Sequence, residues 1–570
     1  MKILFYHSED KLFHDVVHPN DSVFVKSTSL YLKTYIEIKK PQIAKKLDWA
    51  IPQQVKLSDD ELVSLIQQEK PDMFCTTHYL WNYIAILAQL ERIRPRVDSS
   101  ILFVTGGPSV DVNVNSNYFL EHEFVDYAFY GPGEKAFAEF IERIVLNKPL
   151  VKEELTNMAW PDSNRGAIVA EYEYVPQSKI SPYLHNAEMF KDMVADMYEK
   201  KLQPIISYEL TRGCPYACTF CDWNSGYGNK TTRRKDSYKD EIDLFQAVGV
   251  KSLFMADANL GQYQEDVDLI EYMADKNLNE NASFRLDYTV SKLRKDNNIK
   301  IFHTMAKADL CRHFVISVQD NNPTILENID RPDVGWDVHT SHIRELRELY
   351  PHLPSAVQLI HGLPGQTVDS WRQTLSDMAN EHVIPFVFVS ELLSASPAAR
   401  SDEYINKWKF EYSNSLRWDF HGQKEFSSPF TQSCVSFTQH DFIEMTMLSL
   451  IHATINFYKV YKVGKLMDYI SFDADKIVDL FLVSDLYQIL RDNLAENWLI
   501  HNKFYFTTEL DRTPTAKPIT ACSMAVSDMT SKLNTNGQFL KWTLQNISSS
   551  SSSKRNEYAK QIYTKMHHEH

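Results

Sequence analysis

The stretch Glu209-Leu-Thr-Arg-Gly-Cys214-Pro-Tyr-Ala-Cys218-Thr-Phe-Cys221-Asp-Trp223 decides how this chain reads. It sets three cysteines at C-x3-C-x2-C spacing directly after residues 205–210, an apolar run that reads as a strand. Further strand candidates follow at 252–256, 283–288, 313–318, 356–360 and 386–390, with helical patterns between them. Such alternation predicts a complete or partial parallel (β/α) barrel over residues 201–400. The cysteine loop then sits at the carboxyl end of the first barrel strand, where barrels of this kind carry their chemistry. Three thiolates on one short loop can hold three irons of a 4Fe-4S cluster and leave the fourth iron open to a substrate. The alternative is a zinc knuckle in a zinc-stabilised binding protein, which needs a fourth ligand. The remaining candidates, Cys311, His303 and His313, lie far along the chain. Phe220 before the third cysteine and the strand-end setting favour the cluster.

Before the barrel, β-rich runs at 2–6, 72–77, 101–105 and 125–130 alternate with helical patterns at 59–68, 81–91 and 134–145. Residues 1–150 are therefore expected to form a Rossmann-like α/β domain with a parallel sheet and ligands at the strand carboxyl ends. The chain has only 16 glycines, where ordinary usage predicts roughly 40, so each marks a position. Gly106-Gly107 follows the third strand candidate, and Gly131-Pro132-Gly133-Glu134 opens a helix after the fourth. Glycine permits close backbone approach, and a helix start favours anionic groups. The second turn also matches G-x-G-x-x-A of dinucleotide folds, but it follows the last strand rather than the first, which weakens that reading. Residues 151–200 read as a linker, 401–545 as a helical domain with candidates at 441–461 and 474–493, and 546–570 as a mobile tail after a serine tract.

With 60 Lys plus Arg against 75 Asp plus Glu, the formal charge is −15, a poor footing for a partner bound through its phosphates. No nucleic-acid partner is expected. No apolar run of 18 residues appears, so no membrane span is expected either. The amino-terminal apolar stretch is too short for a signal peptide. Seven cysteines, three of them crowded into one loop, do not suit a secreted disulfide framework. A cytoplasmic location is expected.

The cysteine loop is joined by Met255-Ala-Asp257-Ala-Asn259-Leu-Gly261, by Ile316-Ser-Val-Gln319-Asp320 with Ile325-Leu326 and Arg331, and by Gln358-Leu-Ile-His-Gly362-Leu-Pro-Gly365-Gln-Thr367. In this order the four segments resemble the radical S-adenosylmethionine (radical SAM) superfamily. The two glycine turns, with Pro71-Asp72, His78-Tyr-Leu-Trp81-Asn82 and Val125-Asp126-Tyr, resemble the cobalamin-binding domain that precedes the barrel in one large class of these enzymes. The resemblance implies a 4Fe-4S cluster on Cys214, Cys218 and Cys221. It implies SAM contacts at Phe220, Asp257, Asn259, Gln319, Gln358 and Gly362, and cobalamin contacts at Thr76, Trp81, Gly106, Gly107, Gly131, Gly133 and Glu134. The D-x-H-x-x-G signature is absent; Asp337-Val-His339-Thr-Ser-His342 comes nearest but lies in the barrel. Cobalt is thus expected to lack a histidine from that motif. Pro132 stands where the family commonly has Glu, and Asn224 where Gly often follows Asp-Trp.

The function so implied is methylation of an unactivated carbon. A 5′-deoxyadenosyl radical, formed when SAM is cleaved at the cluster, removes hydrogen, and methylcobalamin supplies the methyl group. The partners implied are a small-molecule or peptide substrate and an external electron donor of flavodoxin or ferredoxin type. Two alternatives stay open: cobalamin-dependent rearrangement or oxidation without methyl transfer, and a radical SAM enzyme with a vestigial first domain. No catalytic residue stands out. The basic run Lys230-Thr-Thr-Arg233-Arg234-Lys235 reads as a solvated loop or as an anion site.

Overall fold

Successive residues of the strand Lys2–Glu9 feed different cores: Ile3 and Phe5 pack on one side of the sheet, Leu4 and Tyr6 on the other. A strand buried on both faces belongs in the interior of a covered parallel sheet, with neighbours on either side. In the computed structural model, which describes residues 1–9, 21–79, 82–113, 115–223, 229–234, 237–393, 396–413, 416–418, 424–426, 430–442, 444–446, 448–449 and 505–506, this is where it lies. The sheet runs Asp48–Trp49, Lys2–Glu9, Met73–Thr77, Leu102–Gly106, Tyr127–Phe129, Met158–Pro161, Ala167–Val169, with Gln53–Val55 also paired to Lys2–Glu9. The pairings are parallel as far as Tyr127–Phe129, and the last two strands add antiparallel.

Helix Asp59–Glu69 starts on a capping box, in which the Ser58 side chain accepts from Glu61 N and Glu61 returns the bond to Ser58 N. Helix Glu134–Val145, with the bounds the sequence predicts, buries Phe137, Phe140 and Ile141 against the sheet.

All six barrel strands form, in two parallel groups. Gln203–Tyr208, Ser252–Met255 and Arg285–Asp287 make one; Phe314–Gln319, Ser355–His361 and Ile384–Val389 make the other. They share a single core and meet where Leu286 N donates to Leu310 O and the Tyr288 hydroxyl donates to His313 O. The α/β class read from the sequence holds, with a partial barrel.

Two features depart from the expected layout. Ser22–Val25, from within the first 150 residues, pairs parallel with Gln203–Tyr208 as the edge strand of the first barrel group. The segment expected as a linker is integrated on both sides. Met158–Pro161 and Ala167–Val169 extend the first sheet, while Tyr183 and helix Ala187–Glu199 sink Phe190, Met193 and Met197 into the barrel core. Its apolar residues at helical spacing read as polar linker only because charged residues fill the opposite face. The helical candidates at 441–461 and 474–493, the domain proposed to reach 545 and the tail at 546–570 lie largely or wholly outside the described residues.

Candidate functional site

Strand Gln203–Tyr208 delivers the cysteine loop at its carboxyl end, and the two-residue ribbon Thr211–Arg212 with Thr232–Arg233 closes the loop's base. Cys214 and Cys218 are buried and Cys221 is half-buried. Burial pushes the Cys221 thiol up to about 12, so holding a metal there requires the metal to displace its proton. Among the described residues no three His, Cys, Asp or Glu side chains converge as a single-ion site. A zinc knuckle needs thiolates within ~4 Å of one another around one ion, whereas a cluster spreads its three cysteines over three irons.

The second and third strands bring donors to the first cysteine. Asn259 Nδ2 donates to Cys214 Sγ at 3.2 Å, and Lys292 Nζ lies 3.9 Å from the same sulfur and 3.3 Å from Asn259 Oδ1. Asp257 does something else. Its Oδ1 accepts from Leu210 N at 2.8 Å and Thr211 N at 3.0 Å, with Arg233 at 3.8 Å from Oδ2. The carboxylate is thereby committed to the strand–loop junction. Burial first, and then the neighbouring Asp266, push its carboxyl up to about 7.

Of the remaining positions implied for SAM, Gln319 and Gly362 lie at strand ends, Gln358 within the strand Ser355–His361 and Phe220 in the cysteine loop. Gln319 closes its strand in the left-handed region at φ +71°, unusual for a residue with a side chain, beside a shift in strand register. Gln358 Oε1 accepts from the Ser317 hydroxyl. Gly362, at φ +89°, donates its N–H to Gln366 Oε1 at 2.8 Å, and Leu363 N does the same at 2.9 Å. A Cβ at Gly362 would meet Phe442 at 3.3 Å. Phe220 packs against the small core of Ile325, Leu326, Ile329, Ile360 and Leu363, beside a recess walled by Thr219, Tyr404, Phe410 and Tyr412.

In the first domain, polar groups gather at the carboxyl ends of the two central strands. His7 Nδ1 and Thr77 Oγ1 are 2.7 Å apart, Thr76 Oγ1 and His78 Nε2 are 3.0 Å apart, and Asn82 Nδ2 donates to His7 O at 3.0 Å. Burial drives both imidazoles down to about 3, so they are neutral. His7 Nε2 is buried with no partner among the described residues. Trp81 lies outside the described residues. What approaches Gly107 is the chain itself, since a Cβ there would sit 2.4 Å from His78 O; at Gly131 it would meet the Tyr172 ring at 2.7 Å. Gly106 and Gly133 have only ordinary contacts, with Phe129 and Leu32.

Glu134 crosses to the barrel. Its Oε1 accepts from Arg212 Nη1 at 2.5 Å, with the two side chains 9% and 11% exposed. Arg212 also holds Glu209 through Nε at 3.1 Å and Nη2 at 2.9 Å. Thus the Gly131–Gly133 turn and the residue two before Cys214 are tied directly together.

The sequence reading missed Lys292, Arg212 as a bridge, and the buried pairing of Arg233 and Arg234 in the basic run. Arg233 pairs with Asp266 at 2.6 Å, and Arg234, fully buried, pairs with Glu241 at 3.0 Å. Those arginines brace the loop rather than offer a solvated anion site. Only an acidic residue at each partner position hinted at this.

Residues 208–378 match the Radical SAM superfamily. The cobalamin-dependent radical SAM methyltransferase TokK of Streptomyces tokunonensis is 28% identical over 365 residues, 63% of this chain and 52% of that protein. The 2-(S-pantetheinyl)-carbapenam-3-carboxylate methyltransferase of Streptantibioticus cattleyicolor is 27% identical over 354 residues, 61% of this chain and 50% of that protein. The chain thus spans about half the length of the curated relatives it matches. In fold it is similar to the cobalamin-dependent S-adenosylmethionine radical enzyme OxsB, solved with aqua-cobalamin and S-adenosylmethionine bound: TM-score 0.56, 13% identity, 99% of this chain and 84% of that one. No helix among the described residues is long and apolar enough to cross a membrane.

Proposed function

We propose that this chain is a cobalamin-dependent radical SAM methyltransferase, because residues 208–378 match the Radical SAM superfamily and the fold, with its Rossmann-like first domain, is similar to that of a cobalamin-dependent S-adenosylmethionine radical enzyme. Its substrate is a small molecule or peptide with an unactivated carbon, and its reductant an external flavodoxin- or ferredoxin-type protein. The observation that carries this reading is the Glu134–Arg212 pair, which sets the first domain's turn against the cysteine loop. With both groups bound, this pair would hold the residues of the two sites toward one shared substrate.

The residues present fit both groups. For a 4Fe-4S cluster, three thiols share one strand-end loop, and an amide N–H and an ammonium are aimed at Cys214 Sγ. For cobalamin, the first domain offers polar strand ends and the orphaned, buried His7 Nε2. When bound, the cluster with SAM supplies radical initiation and cobalamin supplies the methyl group. The chain's own work is to hold and shield. Asp257 fixes the start of the cysteine loop through Leu210 N and Thr211 N. Asn259 donates to Cys214, and Gln366 ties Gly362 and Leu363 to Asp320 through its amide. Tyr404, Phe410 and Tyr412 line the recess beside Phe220 and give it an aromatic wall.

The test is anaerobic reconstitution with iron, sulfide and hydroxocobalamin. The wild type should hold a cluster and cobalamin and release 5′-deoxyadenosine and S-adenosylhomocysteine with a suitable substrate. Replacing Cys214, Cys218 and Cys221 together by Ala should abolish iron binding and SAM cleavage and leave cobalamin binding in place. Iron-sulfur absorbance retained in that variant would sink the assignment. Deoxyadenosine without S-adenosylhomocysteine would instead favour rearrangement or oxidation.

A further inference from the structure

Lys292 follows the third barrel strand, yet its ammonium reaches the first cysteine of a loop that follows the first strand. The path is built deliberately by backbone. Leu260 and Val290 form a parallel bridge, and Ser291 N donates to Leu260 O at 2.8 Å, which draws the 290–292 segment alongside Asn259. Ser291 Oγ donates to Gln262 Oε1 at 2.9 Å, and Asn298 Nδ2 donates to Ser291 O at 2.7 Å, so the segment is pinned on both sides. The ammonium itself lies 4.6 Å from the centre of the Tyr216 ring and 3.3 Å from Asn259 Oδ1. Tyr216, between the first two cysteines, is held in turn by Gln262 at 3.2 Å. Asn259 thus serves twice, donating its amide N–H to Cys214 Sγ and accepting from the ammonium that shares that sulfur.

We infer that Lys292 sets the reduction potential of the cluster through Cys214, as a positioning and charge-bearing residue rather than a ligand. This rests on the reading of the three cysteines as a cluster site. One-electron reduction breaks and forms no bond; it takes an electron from a low-potential external donor and makes the cluster more negative by one charge. A fixed cation 3.9 Å from a ligating sulfur favours the more negative state, as does the Asn259 N–H···S bond; the sulfur and the amide are buried and Lys292 half-buried, so water screens the charge only in part. Lys292 therefore raises the potential and brings the cluster within reach of its donor.

The experiment is a redox titration of the reconstituted full-length protein without SAM, followed by electron paramagnetic resonance, for wild type, K292Q and K292R. The expected result is wild-type iron content in all three, a lower midpoint for K292Q and a near-wild-type midpoint for K292R. If K292Q holds no iron and K292R does, the charge is needed to hold the anionic cluster at all, which supports the inference in stronger form. Equal midpoints in wild type and K292Q overturn it, including the case in which K292Q loses only SAM affinity. Loss of iron in both variants also overturns it, because Lys292 would then serve loop folding alone. A wild type that takes up no cluster refutes the underlying reading, a failure distinct from any involving Lys292.

Discussion

At Gly107 the backbone runs at φ +127°, and an added Cβ would come within 2.4 Å of His78 O, an atom of the main chain that cannot swing aside. Gly107→Ala should therefore cost about 1–3 kcal/mol from backbone strain alone, read as a lowered urea midpoint and as weaker hydroxocobalamin uptake. The same scale shows how a residue's type can be legible and its task not. Asp257 stands at the strand end where the resemblance implies a SAM contact, but its oxygens accept from Leu210 N and Thr211 N. Asn259, two residues on in the turn beyond the strand Ser252–Met255, donates instead to Cys214. Lys292 carries no motif and lies 78 positions from Cys214, so nothing in its own neighbourhood of the sequence points to the sulfur.

Helix Glu134–Val145 and the ribbon at the base of the cysteine loop are joined by one nearly buried ion pair, Glu134 with Arg212. Removing one partner of such a pair leaves an uncompensated charge, and the two sides are not equivalent. Arg212→Met strands Glu134 and leaves Glu209 only its weak bond from Gln177, and should destabilise by about 3 kcal/mol. Glu134→Gln leaves Arg212 still bound to Glu209 and should cost about 1 kcal/mol. Urea unfolding of the two single variants and the double variant checks both magnitudes; a double variant as costly as the sum would mean that the pair does not couple. Element existence was legible here, since period-2 and helical patterns are written locally by burial. The short strand Ser22–Val25 was not, because four residues carry too little pattern and its partner strand begins at Gln203.

At the scale of the whole molecule, the buried His7, His78 and His361, among the described residues, have imidazoles driven down from 6.5 to about 3 by burial. The folded state holds them neutral while the unfolded chain protonates them below about 6.5. Their contribution to stability is therefore complete above that pH and is lost as pH falls toward 3. The unfolding midpoint should drop through this window, and His78→Gln should lessen the slope; an unchanged slope would remove His78 from the account. Asp257 works the other way. Its raised carboxyl, at about 7, favours folding at low pH and loses that contribution as pH rises from the ordinary 3.8 toward 7.

By itself the sequence determined the barrel strands, the helix opened by Glu134 and the loop that bears Cys214, Cys218 and Cys221. Each of these is local: burial alternates with the pleat of a strand, and loop chemistry needs its residues within a few positions. The tertiary structure alone decided that Ser22–Val25 completes a barrel edge, that residues 158–199 are built into both halves, and that Asn259, Lys292 and Cys214 converge. It also decided that the close neighbours of Gly107 and Gly362 are His78 and Phe442, atoms of the chain itself. Those outcomes depend on strand register and on crossovers between distant segments, where a shift of one residue would turn each side chain to the other face.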